Sequence, residues 1–291
     1  MQGTVDGFSY GLVTPVAAFL MACLGAALGL RCTVRSVRGA GPKPGRRPHR
    51  AGWLALGATS IGSGIWTMHF IAMMGFSIDE APIRYDRPLM YASLAVAIVM
   101  VGIGIFIVGY RGATPLALVT GGTITGLGVA TMHYLGMAGM VFHGRFAYST
   151  VTVALSVGIA VVAATAALWA AVSLHGFLPS LGAAVVMGAA VSGMHYTGMA
   201  ALRVHLHAGD TGGATGEPVG AILVPLLVGP LAFLLLAGAV VLFDPLVVRG
   251  DPARDAGSGR PGDAARAIPV QRRRDPAAEP VSDRAVRPRR R

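Results

Sequence analysis

Charge is scarce in this chain: Asp, Glu, Lys and Arg make up 13% of its 291 residues, against 54% hydrophobic residues. An ordinary soluble domain has about a quarter of its residues charged, so that class is excluded. Cysteine is scarcer still. Cys23 and Cys32 are the only two, lack metal-type spacing and fall in or just after the first apolar run, so they read as buried, reduced thiols. The signatures of common enzymes are missing, with no G-x-S-x-G, no H-E-x-x-H and no phosphate-binding Gly-Lys-Thr/Ser, and the chain reads as a non-enzyme. No pair of acids lies inside an apolar run either, which leaves a proton-coupled transporter without its relay.

What is abundant is apolar length. Mean hydropathy is +0.62 and there are 41 glycines, a composition suited to membrane helices that approach closely through small residues. Seven runs reach the roughly 20 residues needed to cross a bilayer, near 9–30, 52–76, 89–110, 116–140, 151–174, 178–202 and 221–243. They are continuous and lack two-residue alternation, which argues against barrel strands. The fold class expected is all-α, a polytopic membrane protein of seven transmembrane helices. Met1 to Tyr10 contain Asp6 and no basic n-region, so the first run is expected to stay as a span rather than be cleaved.

The net charge of +11 does not point to nucleic acid, because the basic residues flank apolar runs. Seven Lys/Arg fall in 31–50 and twelve in 245–291; with Arg111 they give one side of the membrane twenty, and the other side has four, Arg84, Arg87, Arg145 and Arg203. By the positive-inside rule the N-terminus is expected outside and the C-terminus in the cytoplasm. Residues 1–248 read as the membrane domain and 249–291 as a disordered basic tail, which is able to touch anionic lipid.

One phrase recurs three times, as Met68-His69-Phe70-Ile71-Ala72-Met73, Met132-His133-Tyr134-Leu135-Gly136-Met137 and Met194-His195-Tyr196-Thr197-Gly198-Met199. The copies lie near the ends of the second, fourth and sixth runs, which places them at one depth near the outer face. Three pseudo-repeated two-helix units account for this, with the seventh span left over. Histidine in hydrocarbon is costly, and three at regular spacing point to a ligand site. Residues four apart share a helix face, so His69 and Met73, His133 and Met137, and His195 and Met199 each present imidazole and thioether together. That borderline-to-soft pair suits copper, Cu(I) above all, or haem iron. The preceding Met68, Met132 and Met194 lie on stripes of small residues (Gly64, Ala72, Gly75; Gly128, Gly136, Gly139; Ala190, Gly198, Ala201), a packing flank that could set one helix's leading Met against the next helix's His. The pairs Gly62/Gly64 and Gly126/Gly128 read as helix-packing positions, and His143, His205 and His207 as loop histidines beyond the fourth and sixth spans.

These motifs resemble those of the bacterial MHYT domain, an integral-membrane sensor module, over residues 9–243. The resemblance implies copper near the outer face, with Met68, His69, Met73, Met132, His133, Met137, Met194, His195 and Met199 as the metal ligands, and sensing of a diatomic gas (O2, CO or NO) or of redox state. Phe70-Ile71 and Leu135 depart from the family phrase. With about 45 residues after the last span, the signal is expected to leave through a separate partner. Copper uptake, storage or delivery to a respiratory enzyme is the alternative function.

Overall fold

Seven helices and three antiparallel ladders form the described residues of this computed structural model, which are 5–6, 10–38, 48–78, 83–142, 144–174, 176–206 and 219–243. The helices are α1 (Val13–Arg38), α2 (Pro48–Met74), α3 (Arg87–Arg111), α4 (Pro115–Ala138), α5 (Thr150–Ser173), α6 (Phe177–Ala200) and α7 (Val219–Leu242). The chain divides into two units, Met1–Pro245 and Leu246–Arg291, and every described residue belongs to the first. The tail expected at 249–291 lies outside the described residues, as do His143, His175 and His207.

Six of the seven helices are long and apolar enough to cross a membrane, and the chain is a multi-pass, all-α membrane protein. α2 is the exception, and its surroundings explain why. Every residue from 61 to 70 is buried, because α1 and α3 flank α2 and α7 packs over it. A helix that meets protein on all sides can hold Ser60, Ser63, Thr67 and His69, all buried, since its neighbours rather than lipid set its polarity. The helix left over from the repeat thus covers the first motif helix. A second difference from the sequence reading is that α1 continues to Arg38: the helical ladder does not stop where apolar residues end, and the Arg35 guanidinium lies 5.5 Å from the Trp53 ring centroid.

The ladders join the two ends of each helix pair. β1 (Val5–Asp6) pairs with β2 (Ser77–Ile78), β3 (Arg84–Tyr85) with β4 (Met140–Val141), and β5 (Gly144–Tyr148) with β6 (Leu202–Leu206), all antiparallel. The repeating unit is therefore strand, helix, helix, strand. Two units share a further hydrogen bond: Asp86, the N-cap of α3, donates its backbone N–H to the Gly139 carbonyl at 2.8 Å, and Ser149, the N-cap of α5, donates to Ala201 at 2.9 Å. Asp86 also caps α3 by accepting from the Leu89 N–H at 3.0 Å, a contact type worth about 1 kcal/mol. These ladders fix where each motif helix ends, and so set the depth of each motif.

The six helices of the three units form a ring in which each packs on its sequence neighbours and α6 returns to α1. Glycines seven positions before each histidine make the unit junctions. A Cβ added at Gly62 would come within 2.8 Å of Ile98 Cα on α3, one at Gly126 within 2.5 Å of Val161 Cα on α5, and one at Gly188 within 2.4 Å of Cys23 Sγ on α1. Without side chains there, the backbones approach closely enough for extensive dispersion contact, the main attraction available to helices in lipid. Gly62 and Gly126 are packing positions as their sequence context suggested, and Cys23 occupies the closing junction of the ring.

Candidate metal centre

α2, α4 and α6 converge at their C-terminal ends, and their histidines meet. The Nδ1 atoms of His69 and His195 are 3.1 Å apart, those of His133 and His69 3.2 Å, and those of His195 and His133 3.3 Å. Ring centroids stand 5.0–5.1 Å apart and ring planes cross at 76–88°. Each histidine is 1% exposed, and among the described residues this is the cluster with donor atoms close enough to share an ion.

This triangle cannot satisfy itself by hydrogen bonds. A neutral imidazole nitrogen is a donor or an acceptor, never both. With three mutual contacts, at least one pair must therefore be donor against donor or acceptor against acceptor. Such a contact buried away from water costs roughly 1–3 kcal/mol. Three lone pairs aimed at one cation remove the conflict. A tetrahedral ion with metal–nitrogen bonds of about 2.0–2.1 Å places its nitrogens about 3.3 Å apart. The observed spacing matches that figure, and three nitrogens leave a fourth position open.

The far sides of the His69 and His133 rings are set by the glycine three positions after the next histidine. A Cβ added at Gly136 would lie 2.6 Å from His69 Nε2, and one at Gly198 would lie 2.4 Å from His133 Nε2. The same step round the ring leads from His195 to Ala72, the corresponding residue of α2, which is buried. The small-residue stripe thus meets the neighbouring imidazole through Gly136 and Gly198. The Nε2 atoms of His69 and His133 are buried without a hydrogen-bond partner, so ring orientation here comes from packing and not from the acceptor that usually holds a ligating histidine.

The motif methionines lie in the bundle core. Met68, Met73, Met132, Met137 and Met194 are buried in the main core cluster, and Met199 is partly buried against it. The aromatic residue after each histidine stands edge-on to it: Phe70 on His69 at 4.7 Å, Tyr134 on His133 at 4.8 Å and Tyr196 on His195 at 5.0 Å between centroids. Two polar clasps lie one layer out. Trp66 Nε1 donates to Ser93 Oγ at 2.9 Å across α2 and α3, and Tyr134 bonds Ser156 Oγ at 2.6 Å across α4 and α5. Phe70, without a hydroxyl, packs on Trp66 at 4.6 Å instead. Over the triad's end of the bundle, burial pushes the Tyr85 phenol well above its ordinary value, so it stays neutral. His205 lies in β6 opposite Arg145 and is not a member of the triad.

Sequence reasoning found the histidines but missed the serine clasps, the ladders and the third junction glycine, Gly188. The interval of seven between each of Gly62, Gly126 and Gly188 and its histidine was the available signal for the last.

Three strand–helix–helix–strand units closed into a ring around a histidine triad define a pseudo-threefold membrane module. The chain belongs to the MHYT family, described as a bacterial signalling protein N-terminal repeat, which matches residues 62–121 and 126–184. The third motif, at 194–199, falls beyond those matches and is joined to them by the structure. The chain is 39% identical over 199 residues to the bifunctional diguanylate cyclase/cyclic di-GMP phosphodiesterase MucR of Pseudomonas aeruginosa, covering 66% of this chain and 29% of that protein. It is 34% identical over 223 residues to the cyclic di-GMP phosphodiesterase NbdA of the same species (72% and 27%) and 32% identical over 161 residues to the signaling protein YkoW of Bacillus subtilis (53% and 20%). The chain thus spans less than a third of the length of these relatives. No solved structure matches it. It is a membrane sensor module of a signalling-protein family.

Proposed function

We propose that this module holds one copper ion on His69, His133 and His195 and senses a diatomic gas (O2, CO or NO), or the redox state of its surroundings, at the open position. The observation that carries the reading is the Nδ1 triangle of 3.1–3.3 Å, fully buried and unable to satisfy itself by hydrogen bonding. Imidazole alone accepts zinc, copper, iron or nickel. The thioethers of Met68, Met73, Met132, Met137, Met194 and Met199, soft groups in the same bundle core, favour copper among them. Copper would supply a soft site able to bind a gas or change oxidation state; the chain's residues exclude water from it and hold three rings in fixed orientation.

With the N-terminus outside and the C-terminus in the cytoplasm, the centre lies near the outer face of a bacterial cytoplasmic membrane. Its signal passes inward through helix packing to a separate partner. The printed names of MucR and NbdA make cyclic di-GMP turnover the first output to examine. The alternative, copper uptake, storage or delivery, asks the ion to leave readily, and 1% exposure at all three rings favours retention.

Metal analysis of purified protein tests the reading. About one copper per chain is expected, lost in each of His69→Ala, His133→Ala and His195→Ala. Copper absent from the wild type, or unchanged in all three variants, would contradict it.

A further inference from the structure

The interior beneath the triad is hollow. A cavity of about 50 Å³ lies on the axis of the ring and is lined by residues from all six of its helices. Its position follows from helical period. Ile65, Val129 and Val191 line it, each four residues before a motif histidine; Ile61, Thr125 and Met187 line it eight before. Positions four and eight apart share a helix face, so these two layers lie directly under His69, His133 and His195. Met194, beside His195, also lines the cavity.

Its chemistry selects a guest. The lining is almost wholly apolar; Thr33 Oγ1 is bonded to the Gly29 carbonyl at 2.9 Å, and Thr125 Oγ1 has no partner. A buried water needs two to four polar partners, whereas apolar cavities stay dry and take up xenon or small hydrocarbons. On a scale where one water needs about 10–15 Å³, this volume accepts a molecule of at most about three to five heavy atoms and not a lipid chain. Its approach is marked as well. The lining residues that are only partly buried are Ala163 and Ala167 on α5 and Met187 and Val191 on α6, so the wall thins toward lipid between those two helices.

We infer that this axial cavity is a binding site for a small apolar molecule of diatomic size, reached from the bilayer between α5 and α6. The site deepens the gas-sensing reading by storing the ligand next to the histidines, and it rests on that reading for its use but not for its existence. Apolar diatomics concentrate in the hydrocarbon layer, so an opening on the lipid side meets them where they are most abundant.

Xenon is the probe, because it needs no metal. In nanodisc-embedded protein under xenon pressure, 129Xe NMR and xenon-derivatised crystals are expected to show one saturable site on the axis. That site is expected to persist in His133→Ala and to be lost in Ala164→Phe, which fills the cavity; Ala164→Ile provides a milder filling should the larger ring prevent folding. Ala163→Leu is expected to slow xenon exchange while leaving occupancy intact. No saturable xenon, ordered water or an acyl chain in the cavity, or exchange unchanged by Ala163→Leu would overturn the proposal. A failed copper assay leaves the xenon result standing, and a failed xenon assay leaves the copper result standing.

Discussion

Gly198 of α6 backs the imidazole of His133 on α4: a Cβ added to this glycine would lie 2.4 Å from Nε2 and 3.0 Å from Cδ2 of the ring. The contact links two sequence copies of the motif, since the residue three places after one histidine makes room for the histidine of the preceding copy. Gly198→Ala is therefore expected to push the His133 ring and loosen the triangle. Overpacking of this kind costs about 1–3 kcal/mol. The expected readout is weaker metal binding with a smaller loss of thermal stability, measured by competitive chelation alongside calorimetry. Gly136→Ala, at 2.6 Å from His69 Nε2, should do the same, and Gly158→Ala, where no atom lies within 4 Å, should do neither.

The junction glycines make a graded prediction. At Gly126 the obstructing atoms are backbone, Val161 Cα at 2.5 Å and N at 2.6 Å; at Gly188 the nearest is the side-chain sulfur of Cys23 at 2.4 Å. Cys23→Ala is accordingly expected to rescue much of the stability lost in Gly188→Ala, whereas no single truncation on α5 rescues Gly126→Ala. Cys23→Ala alone should leave metal content unchanged. Thermal unfolding in a fixed detergent, with a double-mutant cycle for the Gly188–Cys23 pair, checks both statements.

Tyr134 on α4 and Ser156 on α5 join the second strand–helix–helix–strand unit to the third. Their 2.6 Å hydrogen bond is backed by the Ser156 hydroxyl, which donates to the Val153 carbonyl at 2.8 Å. Tyr134→Phe and Ser156→Ala are expected to couple by about 1 kcal/mol in a double-mutant cycle, the usual net value of a buried neutral hydrogen bond. Additive effects would show that the clasp holds nothing.

The register of β5 and β6 is checked by cross-linking. Ala147 stands opposite Arg203 and Phe146 opposite Val204. Ala147→Cys with Arg203→Cys is expected to form a disulfide under mild oxidation, and Ala147→Cys with His205→Cys is not, because disulfides need Cα atoms within about 7 Å and Cβ vectors that meet.

Much of this architecture is legible from residues alone, for physical reasons. Histidine is expensive in lipid, so the recurrence of His69, His133 and His195 stands out against an apolar background, and the i to i+4 rule gives their shared face. The spans are legible because crossing a bilayer demands length and hydropathy together. α2 escapes the second demand, being screened from lipid by α7, which no local pattern reveals. β1 to β4 contain two residues each, too few for any periodicity to show. Gly188 meets Cys23 across most of the chain, a contact that exists only once the ring closes, and the axial cavity likewise belongs to six helices at once.

The central claim is that three imidazoles from three equivalent units hold one metal ion. X-ray absorption on detergent-purified protein loaded with copper measures it directly. The expected first shell contains three imidazole nitrogens at about 2.0 Å, with the count reduced in each single histidine variant. A copper signal fitted by sulfur alone, or by imidazoles whose number is the same in wild type and in His133→Ala, would contradict the account.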